Sequence, residues 1–288
     1  MSLRAESDIA AVQARSAATN AAVKAGVRIA DEHEMARFHE IDSLFKTVWG
    51  LTAATGPIPA ELVRSMSHGG ASISAAYNGD NALCGAAVMI GSANDHSVYS
   101  LIAGVLPDLA DRGVGFAIKQ HQRAWALERG IDRMVWTFDP LVSRNARFNL
   151  TKLGASSSEY IENFYGEMQG QINANDESDR LVAIWQLCSE SAISASEGHV
   201  PDPQRPTFGP SDVREIGPDD KPILVEAAGS LWCRVPHDVV ALRQQSPGVA
   251  AAWRSCIRSA FSTAFASGHR ARGVSRDGWY RLVTGGEQ

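Results

Sequence analysis

Two glycines one residue apart, Gly113 and Gly115, constrain this chain more than any other local feature. They follow the apolar run SVYSLIAGVLP and open the stretch VGFAIKQHQRAWALERG. The first reads as a strand ended by Pro107, the second as a helix over 115–129. Strand and helix therefore meet at a corner without side-chain bulk. The first turn of a helix presents unpaired amides and the positive end of its dipole. With the Cβ atoms gone, those amides can approach a phosphate closely, and Arg112 adds a fixed charge beside them. A plain tight corner uses the same residues, and the segment alone does not separate the two readings.

The spacing does separate the nucleotide motifs. A Walker loop, G-x-x-x-x-G-K-[ST], is absent. A dinucleotide fingerprint needs a third glycine where Ile118 stands, and an acidic ribose partner about 20 residues on. Asp132 and Asp139 lie before or in the next strand instead. What remains is a turn for one pyrophosphate, such as that of coenzyme A.

Along the rest of the chain, residues 7–25 form an alanine-rich helical stretch with little apolar face, expected as a frayed tail in preference to a partner-binding arm. VRIAD reads as a strand, and EHEMARFHEIDSLFKTVWG as an amphipathic helix capped at Gly50. ASISAAYN and ALCGAAVMIG flank GDN, a hairpin signal. RMVWTFDP is a strand, SRNARFNLTKLGA a helix stopped by Gly154, and SEYIENFYGEM and RLVAIWQL are further strands. Residues 188–210 are rich in Ser, Glu, Pro and Asp and read as a linker. Beyond it come a strand PILVEAAG, a helix from Pro247 to Gly268 with Trp253, Ile257, Phe261 and Phe265 as a core stripe, and a strand GWYRLV. The expected division is a tail or helix over 1–26, a domain over 27–190, a linker over 191–210 and an extension over 211–288 packed on the core. The element order gives a mixed α/β (α+β) fold with a largely antiparallel start.

Composition narrows the partners. The 288 residues are 44% hydrophobic with a net charge of -5, which lacks the basic footprint of a nucleic-acid binder. Cys84, Cys188, Cys233 and Cys256 are scattered without C-x-x-C or zinc-ligand spacing, so reduced thiols and no metal are expected. No window approaches the ~20 apolar residues of a membrane span. The expectation is a cytoplasmic protein without nucleic-acid or membrane partners.

ADRGVG, Ala110 to Gly115, resembles motif A of the GNAT superfamily of acyl-CoA N-acyltransferases, Gln/Arg-x-x-Gly-x-Gly/Ala, with Ala110 where the pattern carries Gln or Arg. WTFDPLVSRNARFNLTKLGA (136–155), YIENFYGEM (160–168) and SDRLVAIWQL (178–187), with KQHQRAWALERGI, are similar to a predicted-acetyltransferase branch of that superfamily. AAWRSCIRSAF and YRLV are similar to it too. The resemblance implies a splayed central sheet holding acetyl-CoA or another acyl-CoA in its wedge. Strand Ser100–Val105, through Ala103 and Val105, would bond the pantetheine arm. The amides of Arg112, Gly113, Val114, Gly115 and Phe116 would meet the pyrophosphate. Asn145 and Asn149 would reach the cofactor, or else serve as caps or solvent-facing groups.

Acyl transfer to an amine needs a proton acceptor for the amine, an N–H for the thioester oxygen and a proton for the leaving thiolate. Asp139 is the candidate base, with a turn or N-cap role as its alternative. Many members of the superfamily place a tyrosine where Leu150 stands. Tyr165, or Tyr160, is the candidate acid in its place, against a half-buried aromatic role. Relatives in this branch tend to carry His-Ser-His where this chain reads YSL, so Tyr99 becomes a substrate candidate. Arg144 is another, and Arg147 stands near it for an acidic acyl group. Asp179 and Arg180 are expected to pair with each other. Two functions follow: an N-acyltransferase acting on the amine of a small molecule or amino acid, or a catalytically degenerate acyl-CoA-binding protein. A homodimer is a further expectation.

Overall fold

A computed structural model describes residues 3–51, 56–93, 95–166 and 176–285, with side chains from residue 8 onward. Glu167 and Met168, the end of the run YIENFYGEM, lie outside the described residues. In chain order the elements are α1 (Leu3–Ala25), β1 (Arg28–Asp31), α2 (Met35–Trp49), α3 (Ala60–His68), β2 (Ser72–Tyr77), β3 (Leu83–Gly91), β4 (Val98–Val105), α4 (Val114–Leu127) and β5 (Arg133–Phe138). Then come α5 (Ser143–Arg147), β6 (Tyr160–Ile161), β7 (Arg180–Gln186), α6 (Glu190–Ser196), β8 (Val213–Ile216), β9 (Pro222–Ala227), β10 (Ser230–Arg234), α7 (Val239–Gln245), α8 (Pro247–Ala266), β11 (His269–Val274) and β12 (Trp279–Thr284). The fold is mixed α/β with mostly antiparallel strand pairing.

The chain divides into two compact units, Met1–Trp136 with Gln186–Gly198, and Thr137–Trp185 with His199–Gln288. This differs from the expected break at residues 191–210. The serine-rich stretch there begins with a real helix, α6, whose Ser189 hydroxyl accepts the Ala192 amide at 3.2 Å. Residues 137–185 group with the C-terminal segment through polar contacts that composition does not reveal, described below.

In the first unit β1 to β4 pair antiparallel in sequence order, and β4 pairs β5 parallel. Side chains alternate across this sheet, as a period of two requires. Ala75, Tyr77, Ala86 and Val88 pack with Phe38, Ile41 and Phe45 of α2 and Val63 of α3. Ala76, Cys84 and Ala87 point the other way, onto Val114 and Ile118 of α4. α4 sits so close that a Cβ added at Gly85 would lie 2.9 Å from Ile118 Cδ1.

α1 is no frayed tail. It lies along α4, with Ala14, Ala18 and Ala21 buried. Alanines at i, i+4 and i+7 share one face of a helix and let two helix backbones approach. The low hydrophobicity of the segment hides this, because small residues pack without looking apolar.

In the second unit β11, β12, β10, β9 and β8 form an antiparallel sheet in that spatial order. Of the stripe on α8, Trp253, Ile257 and Phe261 are buried, as the spacing predicts, and Phe265 is half-buried. The Phe261 ring meets Tyr280 at 5.0 Å and Tyr160 at 6.1 Å between centroids. The strand expected over SEYIENFYGEM shortens to the two residues of β6. Asn163 turns the chain with a φ of 44°, and its amide donates to Asp179 Oδ1 at 3.0 Å instead of to a ladder.

Candidate functional site

β4 and β5 run in parallel for only two register pairs among the described residues, Val98↔Met134 and Tyr99↔Val135. Beyond them the strands part, and Ser100–Val105 has no β5 partner along its edge. On its other edge β4 stays paired with β3 and carries a bulge: Val88 faces Ile102 and Met89 faces Ser100, so Leu101 is skipped. A bulge re-aims the backbone and adds local twist. Leu101 is consequently exposed although it lies inside a strand. Ala103 and Val105, the expected pantetheine contacts, belong to this open edge.

The chain then reaches the glycine corner. Gly113 sits in the left-handed region, with a φ of 88°, as the N-cap of α4, and no side chain caps the helix. A Cβ there would meet only Ala25 Cβ at 3.6 Å; the backbone conformation, more than space, demands glycine. The Ala117 amide already closes on the Gly113 carbonyl at 2.9 Å. Val114, Gly115 and Phe116 make up the first turn, where amides lack intrahelical acceptors. The Arg112 amide differs from the expectation, because it turns back to the Leu109 carbonyl at 3.4 Å. Arg112 therefore offers its exposed guanidinium rather than its backbone.

Where the strands part, a lysine is buried. Lys119 of α4 sends Nζ to Ser100 Oγ at 2.8 Å, to 3.9 Å from Met134 Sδ and to 4.0 Å from the centre of the Trp136 ring. Ser100 Oγ also lies 3.2 Å from Gln122 Oε1. Burial pushes the Lys119 ammonium down from 10.5 to about 7, since a desolvated charge without a counter-charge is costly. Tyr99, one residue before Ser100, is half-buried.

The other expected site residues belong to the second unit. Asp139 is the hub of a buried ion cluster. Its Oδ2 accepts from Arg243 Nη2 at 2.5 Å and from Arg254 Nη2 at 3.1 Å. Asp176 completes the cluster, taking Arg243 Nε at 2.8 Å and Arg254 Nη2 at 2.6 Å. Burial raises the Asp139 carboxyl, but Arg254 and Arg243 outweigh it and hold the group below the usual carboxylate range. Asp139 Oδ1 also accepts the Leu141 amide at 2.9 Å, an Asx turn. A carboxylate committed in this way is a poor proton acceptor, and the turn role is the one its contacts describe.

Tyr165 is 52% exposed, edge-on to Phe164 at 4.7 Å and beneath the Arg180 guanidinium at 5.1 Å. Tyr160 instead donates its hydroxyl to Asp179 Oδ2 at 2.6 Å, and burial with that carboxylate pushes its pKa up. Asp179 pairs with Arg258 at 2.8 Å rather than with the side chain of Arg180, which donates to the Asp179 carbonyl. Asn149 is buried and its Nδ2 reaches Asn145 Oδ1 at 3.5 Å, while Asn145 and Arg144 lie on the exposed face of α5. Leu150 is buried in a π-helical turn, Phe148–Lys152, that continues α5. The expected residues thus fall into two groups: Tyr99, Ala103, Val105 and Arg112–Phe116 in one unit, and Asp139, Arg144, Asn145, Asn149 and Tyr165 in the other.

Sequence reasoning misses Lys119, because it stands beside the apolar position Ile118 and reads as the polar flank of an amphipathic helix. It misses Arg243, Arg254 and Asp176 because an ion cluster has no local period. Hollows of about 490 and 370 Å³ open on the first unit, against Ser43, Thr47 and Leu106 and against Asn78 and Asn81, and neither is lined by a residue of β4 or β5. Among the described residues no group of three His, Cys, Asp or Glu side chains is placed to hold a metal ion, and no helix is long and apolar enough to cross a membrane.

No protein-family model and no curated protein matches the sequence. Solved structures do resemble it. An N-acetyltransferase from Staphylococcus aureus Mu50 aligns with 56% of this chain and 98% of its own, at a TM-score of 0.47 and 12% identity. The ribosomal-protein-S18-alanine N-acetyltransferase from Escherichia coli aligns with 57% and 95%, at 0.45 and 13%. A GNAT superfamily phosphinothricin acetyltransferase from Sinorhizobium meliloti, solved with AcCoA, aligns with 55% and 87%, at 0.46 and 16%. Identities this low leave the activity of this chain to its own residues.

Proposed function

We propose that the protein is an acyl-CoA-dependent N-acyltransferase of the GNAT type, which moves an acyl group, acetyl or longer, to the amine of a small molecule or amino acid. The observation that carries the reading is the parting of β4 from β5 just ahead of a helix whose glycine N-cap receives no side-chain hydrogen bond. The residues present fit coenzyme A. A single pyrophosphate suits the first-turn amides of α4 and the Arg112 guanidinium. The open edge of β4, with Ala103 and Val105, supplies donors and acceptors for an amide-bearing arm such as pantetheine. When bound, the thioester supplies an activated acyl group. The chain's own part is to bind it, to present a backbone N–H near the bulge to the carbonyl oxygen, and to hold the amine acceptor in place.

The test has two steps. Purified full-length protein is heated with and without coenzyme A, and free thiol is then followed after mixing with acetyl-CoA and a panel of small amines and amino acids. A rise in melting temperature with coenzyme A, and thiol release that depends on one of the amines, support the reading. No shift at millimolar coenzyme A overturns it.

A second reading is favoured by Asp139 and Leu150, one tied into an ion cluster and the other an apolar buried side chain. Neither can move a proton as a free group does. A protein that binds acyl-CoA without turning it over would give the thermal shift and no amine-dependent thiol.

A further inference from the structure

Buried lysines nearly always face a carboxylate, because an unpaired charge in an apolar setting is expensive. Lys119 faces none. Its side chain lies at the apex formed by β4 and β5 and touches both strands there. Ser100 follows Tyr99, the last residue of β4 paired with β5, and Trp136 follows Val135, the last residue of β5 paired with β4. A methionine would fill this place against Trp136 and Met134 without the cost of a charge. A group that enters between the parted strands runs out of room where they pair, and Ser100, buried and held by Lys119 Nζ at 2.8 Å, stands at that place.

We propose that Lys119 stores the proton taken up by the leaving thiolate of coenzyme A, and that the hydroxyl of Ser100 hands it over. The assignment rests on the acyl-CoA reading of the parted strands. In the step, the C–N bond to the acceptor amine forms, the C–S bond breaks, and sulfur leaves with the electron pair. Ser100 Oγ turns from Gln122, gives its proton to sulfur and takes one from Lys119 Nζ, which becomes a neutral amine. The proton shed by the acceptor nitrogen enters solvent, and Lys119 is reprotonated from solvent before the next cycle. Ser100 touches the reacting atom; Lys119 acts through it.

The groups around the ammonium leave it free to titrate. On α4 they are His121, which bonds Asp31 Oδ1 at 2.9 Å, Gln122, and Arg123, whose Nε donates to the Leu187 carbonyl at 2.8 Å. On β4 they are Tyr99 and Ser100. On β5 they are Met134, Trp136 and Arg133, the last paired with Asp95 at 2.9 Å. Burial is the one cause that moves Lys119, to about 7, a value suited to proton delivery near neutral pH.

The test follows the Lys119 side chain itself, by NMR of ¹³C-labelled lysines in the full-length protein, assigned with Lys119→Arg. The pH titration is recorded alone, with coenzyme A and with desulfo-coenzyme A. A midpoint near neutral pH that moves with coenzyme A and not with its sulfur-free analogue supports the proposal. A midpoint near that of a free lysine, or equal responses to both ligands, overturns it while leaving the acyl-CoA reading intact. Failure of either ligand to bind overturns the reading and the proposal together, and the thermal shift reports that separately. In turnover, Lys119→Arg keeps the charge but does not titrate, and kcat should fall about a hundredfold with coenzyme A affinity unchanged. Ser100→Ala should fall similarly, and in both variants the decline of kcat above pH 7 should vanish. A Lys119→Arg variant with the kcat and pH profile of the original protein overturns the proposal.

Discussion

The two units bury charge in opposite ways. In the second, two carboxylates and two guanidiniums, Asp139, Asp176, Arg243 and Arg254, cancel one another. In the first, Lys119 is buried with a hydroxyl, a thioether and an indole ring for company. A cancelled cluster fixes chain segments. An uncancelled ammonium costs stability and gains a pKa in the range where cells work. Compensation marks architecture, and its absence marks a place where a proton can move.

The largest expected effect comes from breaking the cancellation. Arg254→Ala leaves Asp139 and Asp176 short of a counter-charge and should cost about 3–5 kcal/mol in denaturant unfolding. Next is the ligand side of the first unit. Coenzyme A at 100 times its Kd should stabilise the protein by about 2.7 kcal/mol. Gly113→Asp should remove that stabilisation, since it strains a left-handed residue and sets like charge against a pyrophosphate; calorimetry with and without coenzyme A reads the difference.

The pH dependences should share a sign and differ in window. Lys119 titrates near 7 folded, against an ordinary 10.5. Below pH 7 both states hold the proton and its cost is constant. Between 7 and 10.5 the unfolded chain binds more protons, so stability rises with pH on this account, by up to about 1.4 kcal/mol per pH unit. Lys119→Met should lose that rise in urea melts at graded pH. Asp139 and Asp179 are held below the usual carboxylate range by their arginines, despite burial. Their contribution is present at neutral pH and is lost as acid carries the solution through their folded pKa values. A protein whose stability falls in alkali through this window and is flat in acid would erase the contrast.

Smaller effects sharpen it. Tyr280→Phe removes a 2.6 Å bond to the buried Pro140 carbonyl and should cost about 1 kcal/mol in chemical unfolding. Arg15→Ala opens the ion pair with Glu128 on the solvent side of α1 and α4. Such exposed pairs contribute about 0–1 kcal/mol, so the melting temperature should scarcely move.

Local signals made much of this legible. The glycine corner, the hairpin turn, the cap at Gly50 and the stripe on α8 are written in neighbouring residues, and each stands where its spacing predicts. Partners set by distant chain were not legible. Asp139 looks like a free acid at a strand end until Arg243 and Arg254 arrive from beyond residue 240. Lys119 looks solvated until β4 and β5 close around it. The alanines of α1 carry too little hydrophobicity to announce a helix interface. The bulge at Leu101 has no sequence mark at all, because a skipped residue depends on register with β3.

The backbone passes from one unit to the other three times, after Trp136, after Trp185 and after Gly198. Dissection by serial truncation is therefore bound to mislead. A fragment ending near residue 190 would keep Asp139 and Asp176 and discard both arginines that neutralise them, while one beginning near residue 211 would carry those arginines with nothing to hold. Neither piece is a smaller version of the whole, and inactivity in either would say nothing about where chemistry resides.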